Sequence, residues 1–300
     1  MVTRRGWALF LALGIIWGLP YLLIRVSVRE INPALLVFVR TAGGAVLLAP
    51  FVVRRGWLAP LLRRWKPIVL YTVVEMGLPW LFLSEAERRL PSSLTGLLVA
   101  AVPIVGAVLA GATGTDRLDS GRAAGLLLGV GGVAALVGVD VHGASAPAAG
   151  LIVVVVVGYA LGPWILAHSL ADLPALGVVA ASLVLCGLAY APVVPFVLPE
   201  RSLSGSVVAS LAGLTIVCTV VAFLVFFALI GEVGALRATV ITYVNPAVAV
   251  LLGVSVLGEH FGVGTAAGFA LVLAGSFLAT RPLRTHGPGT PAPSPTVAEP

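Results

Sequence analysis

The chain has 300 residues, 59% of them hydrophobic and only 10% charged, with a mean hydropathy of +1.10. Soluble domains carry about 25% charged residues, so this composition excludes a water-soluble fold and points to a chain that crosses a membrane repeatedly. The net charge of +6 does not mark a nucleic-acid partner, because the arginines and the sole lysine, Lys66, gather at the ends of apolar runs, where loop charges orient membrane proteins.

Apolar runs of about 17–25 residues suffice for a helix to cross roughly 30 Å of hydrocarbon. They cover approximately 7–24, 33–53, 67–84, 94–113, 122–139, 148–167, 174–198, 207–230, 234–257 and 261–280. An all-α integral membrane protein with ten transmembrane helices is predicted. The first run follows Arg4 and Arg5 but is too long for a signal-peptide core, and no small-residue cleavage pattern follows it, so a retained helix is expected. Between Ala123 and Pro199 the only Asp, Glu, Lys or Arg residues are Asp140 and Asp172, each at an expected turn. With the N-terminus in the cytoplasm, twelve basic residues fall inside, many of them in the loop 54–66, and four outside: Arg29, Arg88, Arg89 and Arg201. The expectation is a multi-pass protein of the cytoplasmic membrane with both termini cytoplasmic. Residues 282–300, rich in Pro, Gly, Ser and Thr, read as a disordered cytoplasmic tail.

Shifting the sequence against itself by 143 residues superposes Pro20 on Pro163, Tyr21 on Trp164 and Pro103 on Pro246. Gly121, Ala123, Ala124, Gly125 and Gly132 then fall on Gly264, Ala266, Ala267, Gly268 and Gly275. Two repeats follow, 1–143 and 144–281, with five helices each. Because five is odd, the second must cross in the opposite sense, giving the inverted repeat on which alternating access is built.

Several stretches resemble the drug/metabolite transporter superfamily, in its ten-helix EamA-type branch. They are Trp17-Gly18-Leu19-Pro20-Tyr21, the stretch from Pro91 to Pro103, Val233-Gly234-Ala235-Leu236-Arg237-Ala238, Tyr243-Val244-Asn245-Pro246, and Leu257-Gly258-Glu259. The resemblance spans nearly the whole chain apart from the tail. It implies a cytoplasmic-membrane transporter of two five-helix repeats around a central cavity, exporting or exchanging small metabolites, amino acids or drugs. One departure is that the first repeat has Gly114-Thr115-Asp116-Arg117 where the second has Leu257-Gly258-Glu259-His260, so the Gly-Glu ending occurs once.

A charge near mid-membrane costs roughly 2.5–3.5 kcal/mol on insertion scales and persists only beside a partner or a wet cavity. Arg40 lies inside the second span, Glu75 inside the third, and Arg25 closes the first. Arg40 is the candidate receptor for a substrate carboxylate or phosphate, since a guanidinium grips an oxyanion through two donors. The competing structural role is a tie to Glu75, and Arg25 is open to simple snorkelling. Glu75 is also a candidate for proton coupling; its repeat mate is Cys218.

Pro20, Pro79, Pro103, Pro163 and Pro246 fall inside spans and are expected to bend or break them, freeing backbone carbonyls. Trp17, Tyr21, Trp80, Tyr159, Trp164, Phe223 and Tyr243, with Asn245, Thr72 and Thr215, are candidate cavity lining. Gly121, Gly125, Gly129, Gly158, Gly162, Gly264 and Gly268 read as close-packing scaffold.

Cys186 and Cys218 stand without ligands at metal spacing, and no cofactor or metal site is legible. No hydrolase elbow, metalloprotease helix or phosphate loop occurs, and Asp140 and His142 would lie on the opposite side of the membrane from His168 and Asp172, so an enzyme is disfavoured. The expected partners are a small-molecule substrate and membrane lipids, with proton coupling through Glu75 and either a monomer or a homodimer. The alternative is a flippase for lipids or lipid-linked substrates. The charged residues point to zwitterionic or anionic solutes.

Overall fold

The computed structural model describes residues 3–114, 119–140, 146–234, 241–242 and 244–280. Arg117, Arg237, Tyr243 and the tail 282–300 lie outside the described residues. Among those described the chain is helical, with no strand.

Helix α1 spans Arg4–Ser27 and α2 Pro33–Arg54. Each opens on a residue suited to satisfying free N–H groups: the Thr3 hydroxyl accepts from Gly6 at 3.0 Å, and Asn32 Oδ1 accepts from Ala34 at 2.9 Å with Pro33 in the first turn. A short helix, α3 (Leu58–Arg63), precedes α4 (Trp65–Ala86), α5 (Ser92–Ala112) and α6 (Ser120–Asp140). The second half follows as α7 (Ala146–Ser169), α8 (Ala175–Phe196), α9 (Gly205–Val233), α10 (Asn245–Leu257) and α11 (Val263–Thr280). Eight of these are long and apolar enough to span a bilayer; α6 and α10 have shorter apolar stretches.

The 143-residue shift carries each long helix of the first half onto one in the second: Arg4–Ser27 onto Ala146–Ser169, Pro33–Arg54 onto Ala175–Phe196, Ser120–Asp140 onto Val263–Thr280. Helices α6 and α11 then show the relation between the repeats. A Cβ on Gly132 would lie 2.9 Å from the Gly268 carbonyl, and one on Gly125 2.9 Å from the Gly275 carbonyl. Gly125 and Gly268 are repeat mates, as are Gly132 and Gly275. The contact is therefore reciprocal, and its numbering rises on one helix as it falls on the other, so the two repeats meet through the same glycine stripe run in opposite senses. The absent side chains let the backbones touch, which replaces hydrophobic drive inside lipid.

Proline sets the interruptions. Helix α5 breaks at Ala100–Ala101 just ahead of Pro103, and Pro246 sits in the first turn of α10. The run 234–257, expected as one span, is α-helical among its described residues over Asn245–Leu257, thirteen residues or about 20 Å. Pro246 lacks an N–H and crowds the preceding turn, so it suits the first turn of the helix that starts at Asn245. Pro20 and Pro163, by contrast, lie within unbroken helices.

Candidate functional site

Helices α4 and α9 are not α-helical throughout. Thr72–Gly77 of α4 and Gly213–Val221 of α9 wind as π-helix. The two stretches are related by the repeat shift, which places Thr72 on Thr215 and Glu75 on Cys218. A π-turn inserts a residue, rotates the side chains beyond it and loosens the carbonyl ladder, which is why such turns gather at functional sites.

The second π-stretch cradles Arg40. From α2, the Arg40 Nε donates to the Thr219 hydroxyl at 2.8 Å, and Nη2 reaches the Cys218 carbonyl at 3.4 Å. The Thr219 hydroxyl in turn donates to the Leu214 carbonyl, five residues back, at 2.8 Å. Gly43 and Gly44 allow the approach, since a Cβ on either would press on Thr215 or Thr219. The guanidinium carbon stands 3.7 Å from the centre of the Trp80 ring, a cation–π contact from α4. Arg40 is 5% exposed and Trp80 6%. The tie between Arg40 and Glu75 is not formed: the ion pairs among the described residues are Arg64–Asp172 and Arg88–Glu85.

Glu75 instead rests in a notch of α7. A Cβ on Gly162 would strike the Glu75 carboxylate, and one on Gly158 would strike the Val74 carbonyl and the Pro79 ring. Gly158 and Gly162 thus make room for the first π-stretch. The Glu75 Oε2 is sealed from the surface without a hydrogen-bond partner among the described residues. Tyr159 on the same helix lies within electrostatic reach of Arg40, Glu75 and Glu87.

Arg25 does not simply snorkel. Its Nη1 donates to the backbone carbonyl of Glu87, at the C-terminal end of α4, where a cation also complements the helix dipole. Glu87 is 0% exposed, and neither of its carboxylate oxygens has a partner among the described residues. Tyr21, 7% exposed, lies within reach of Glu87 and Tyr159. Glu259 follows the left-handed Gly258 that closes α10, and its carboxylate accepts from the Ser92 and Ser93 amides at 2.7 and 2.8 Å. The second repeat thereby caps the first helical turn of α5 in the first.

Other expected residues lie elsewhere. Trp17 packs on Phe223 and Phe226, with centroids 6.2 and 4.8 Å apart, between α1 and α9. Trp164 is 37% exposed and stacks on His168. Pro163 beside it is exposed, whereas its mate Pro20 is buried. Asn245 is half-buried, its Oδ1 without a partner among the described residues, and lies close to Gly18 of α1. Thr72 donates to the Ile68 carbonyl at 2.7 Å and helps wall a mostly apolar cavity of about 390 Å³ between α4 and α8. There Tyr190 donates to the Gly77 carbonyl at 2.9 Å.

Sequence reasoning missed Glu87 and Thr219 and saw Glu259 only as part of a motif. Glu87 stands in Ser84-Glu85-Ala86-Glu87-Arg88-Arg89, which reads as a solvated span end. Two residues on a helix are roughly 200° apart, so Glu85 faces Arg88 at 3.2 Å while Glu87 faces the core. That rotation was the one signal available.

Two repeats of membrane-spanning helices, interlocked by matching glycine stripes around a buried charged centre, define a polytopic membrane protein of the transporter type. The sequence profile of the EamA-like transporter family matches residues 4–138 and again 146–281, and the chain belongs to that family. It is 28% identical over 261 residues to the uncharacterized inner membrane transporter YedA of Escherichia coli strain K12, an alignment covering 84% of this chain and 82% of that one; the YedA proteins of strains O6:H1 and O157:H7 match equally. A solved crystal structure of a protein superposes with a TM-score of 0.66 at 20% identity, covering 92% of this chain and 96% of that chain, a likeness of fold. The protein is a multi-pass membrane transporter.

Proposed function

We propose that the protein is a secondary-active exporter of small zwitterionic or anionic metabolites, amino acids among them, working by alternating access in the cytoplasmic membrane with both termini inside. One observation carries this reading: Arg40 is a buried guanidinium held by a hydroxyl, a carbonyl and an aromatic face, with no carboxylate among the described residues in its ion-pair range. A charge left so in a low-dielectric interior is costly, and a substrate oxyanion supplies the missing counter-charge through the donors that remain. Trp80, Tyr21 and Tyr159 give such a substrate apolar walls and hydroxyls.

Glu75 is the coupling group in this proposal, because a carboxyl with a sealed, unpartnered oxygen is most stable when it carries a proton. The repeats 1–143 and 144–281 rock against each other about the α6–α11 seam, with the breaks at Pro103 and Pro246 and the bends at Pro20, Pro79 and Pro163 absorbing the motion. Arg25, Asn245 and Trp17 contribute to the path on either side.

The test is a screen of soluble metabolites in sealed proteoliposomes, with and without an imposed pH gradient. The expected result is uptake or release of a carboxylate-bearing solute whose apparent affinity Arg40→Ala strongly weakens while the variant still inserts and folds. Unchanged rate and apparent affinity in Arg40→Ala would sink the reading.

A further inference from the structure

At the end of the molecule where α4 stops and α5 starts, two carboxylates from different repeats lie within electrostatic reach of one another in opposite circumstances. Glu259 is satisfied, with each oxygen on an amide of the α5 first turn. Burial pushes its carboxyl up, but the hydrogen bonds from Ser93 and Ser92 outweigh burial and hold it below the usual carboxylate range. Glu87 is fully buried and its oxygens bond to nothing described. The nearest cation, Arg25, spends its donor on the Glu87 backbone carbonyl and not on the carboxylate.

We infer that Glu87 is a proton-binding site whose occupancy decides whether Glu259 keeps its hold on Ser92 and Ser93, and so whether this end of the transporter stays shut. The inference rests on the transporter reading for its purpose, but not for its geometry. The groups facing Glu87 are Tyr21 and Arg25 from α1, Tyr159 from α7 and Glu259 from beyond α10. One of these is a cation, already engaged, and another is an anion. With a proton, Glu87 is neutral and tolerates both its burial and the Glu259 anion. Without it, a second negative charge stands unsolvated beside the first, and the relief available is to separate the carboxylates and admit water, which pulls Glu259 off the α5 amides.

Burial first, and the Glu259 charge after it, hold the Glu87 carboxyl well above its usual range in the closed form, with Arg25 opposing. The sign follows from linkage. Below the usual carboxyl range Glu87 is protonated in closed and open forms alike, and pH has no leverage. Between that range and the raised value the closed form binds the proton better, so closure weakens steadily as pH rises. A proton arriving from this side therefore shuts it.

The experiment needs no substrate. Amide hydrogen exchange over the peptide containing Ser92 and Ser93 is followed by mass spectrometry as a function of pH, each point corrected for intrinsic exchange. In the wild type, protection falls as pH rises. In Glu87→Gln, which keeps the shape and lacks the charge, protection stays at its acid level throughout. In Glu259→Gln it is low at every pH. A Glu87→Gln curve that tracks the wild type, or a wild-type curve flat in pH, overturns the proposal. Infrared spectroscopy gives a readout independent of that variant: in Glu75→Gln a protonated, buried carboxyl stretch must remain at neutral pH, and its absence also overturns the assignment. A failed transport screen leaves these outcomes untouched, so the two readings fall separately.

Discussion

The π-helical stretches Thr72–Gly77 and Gly213–Val221 hold the same station in the two repeats, yet they serve opposite chemistry. The first presents an acid, Glu75, to a glycine notch in α7. The second presents a carbonyl and a hydroxyl, those of Cys218 and Thr219, to a base from α2. Backbone symmetry is thus kept in the two matching π-turns, and side-chain symmetry is abandoned where one turn carries a carboxyl and the other receives a guanidinium. The same division recurs at Pro20-Tyr21, which is buried, and its mate Pro163-Trp164, which faces outward.

The sharpest way to break this comparison is at Arg40. Removing a charged hydrogen-bonding group from a buried site costs about 1.5–3 kcal/mol, so Arg40→Ala should lower apparent substrate affinity by roughly tenfold to a hundredfold in proteoliposome uptake. Arg40→Lys should recover only part of it, because an ammonium cannot lie flat on Trp80 while reaching Thr219. Next comes the contrast between mates: Glu75→Gln should erase the response of transport to an imposed pH gradient, and Cys218→Ser should leave that response intact. Equal effects of the two would mean that the π-stretches are chemically equivalent after all.

The frame itself is tested at the glycine seam. Gly275→Leu and Gly132→Leu each push a side chain into the partner backbone and should destabilise by roughly 1–3 kcal/mol, seen as a lowered thermal midpoint in detergent. Gly131→Leu, one residue away and facing open space, should not. The smallest effect belongs to the exposed pair Arg64–Asp172, 3.0 Å apart, where Arg64→Ala should leave the midpoint almost unmoved. The bond from Arg64 holds Asp172 below its usual range, so what the pair contributes is present above that range and lost as pH falls through the lowered value. Melts repeated down a pH series check that sign.

Much of the frame was legible in the residues. Composition and run length dictate membrane helices because lipid offers no partner for a free backbone group, and the matching prolines and glycines dictate two repeats. Arg40 and Glu75 stood out for the same reason, a charge where charge is expensive. Their partners did not. Thr219 is one hydroxyl among many in apolar helices, and its alignment with Arg40 depends on a π-turn that no local pattern announces.

The sequence by itself determined that this chain lives in a membrane, folds as paired helical repeats and carries a guanidinium and a carboxyl too deep to be incidental. Only the tertiary structure decided that those two charges stay apart, that Tyr159 lies within electrostatic reach of both, that Glu87 turns inward while Glu85 turns out, and that Glu259 reaches across to Ser92 and Ser93. Hydrophobicity and helical periodicity are properties of neighbours along the chain, whereas the satisfaction of a buried polar atom depends on residues more than a hundred positions away, brought close only when the repeats interlock.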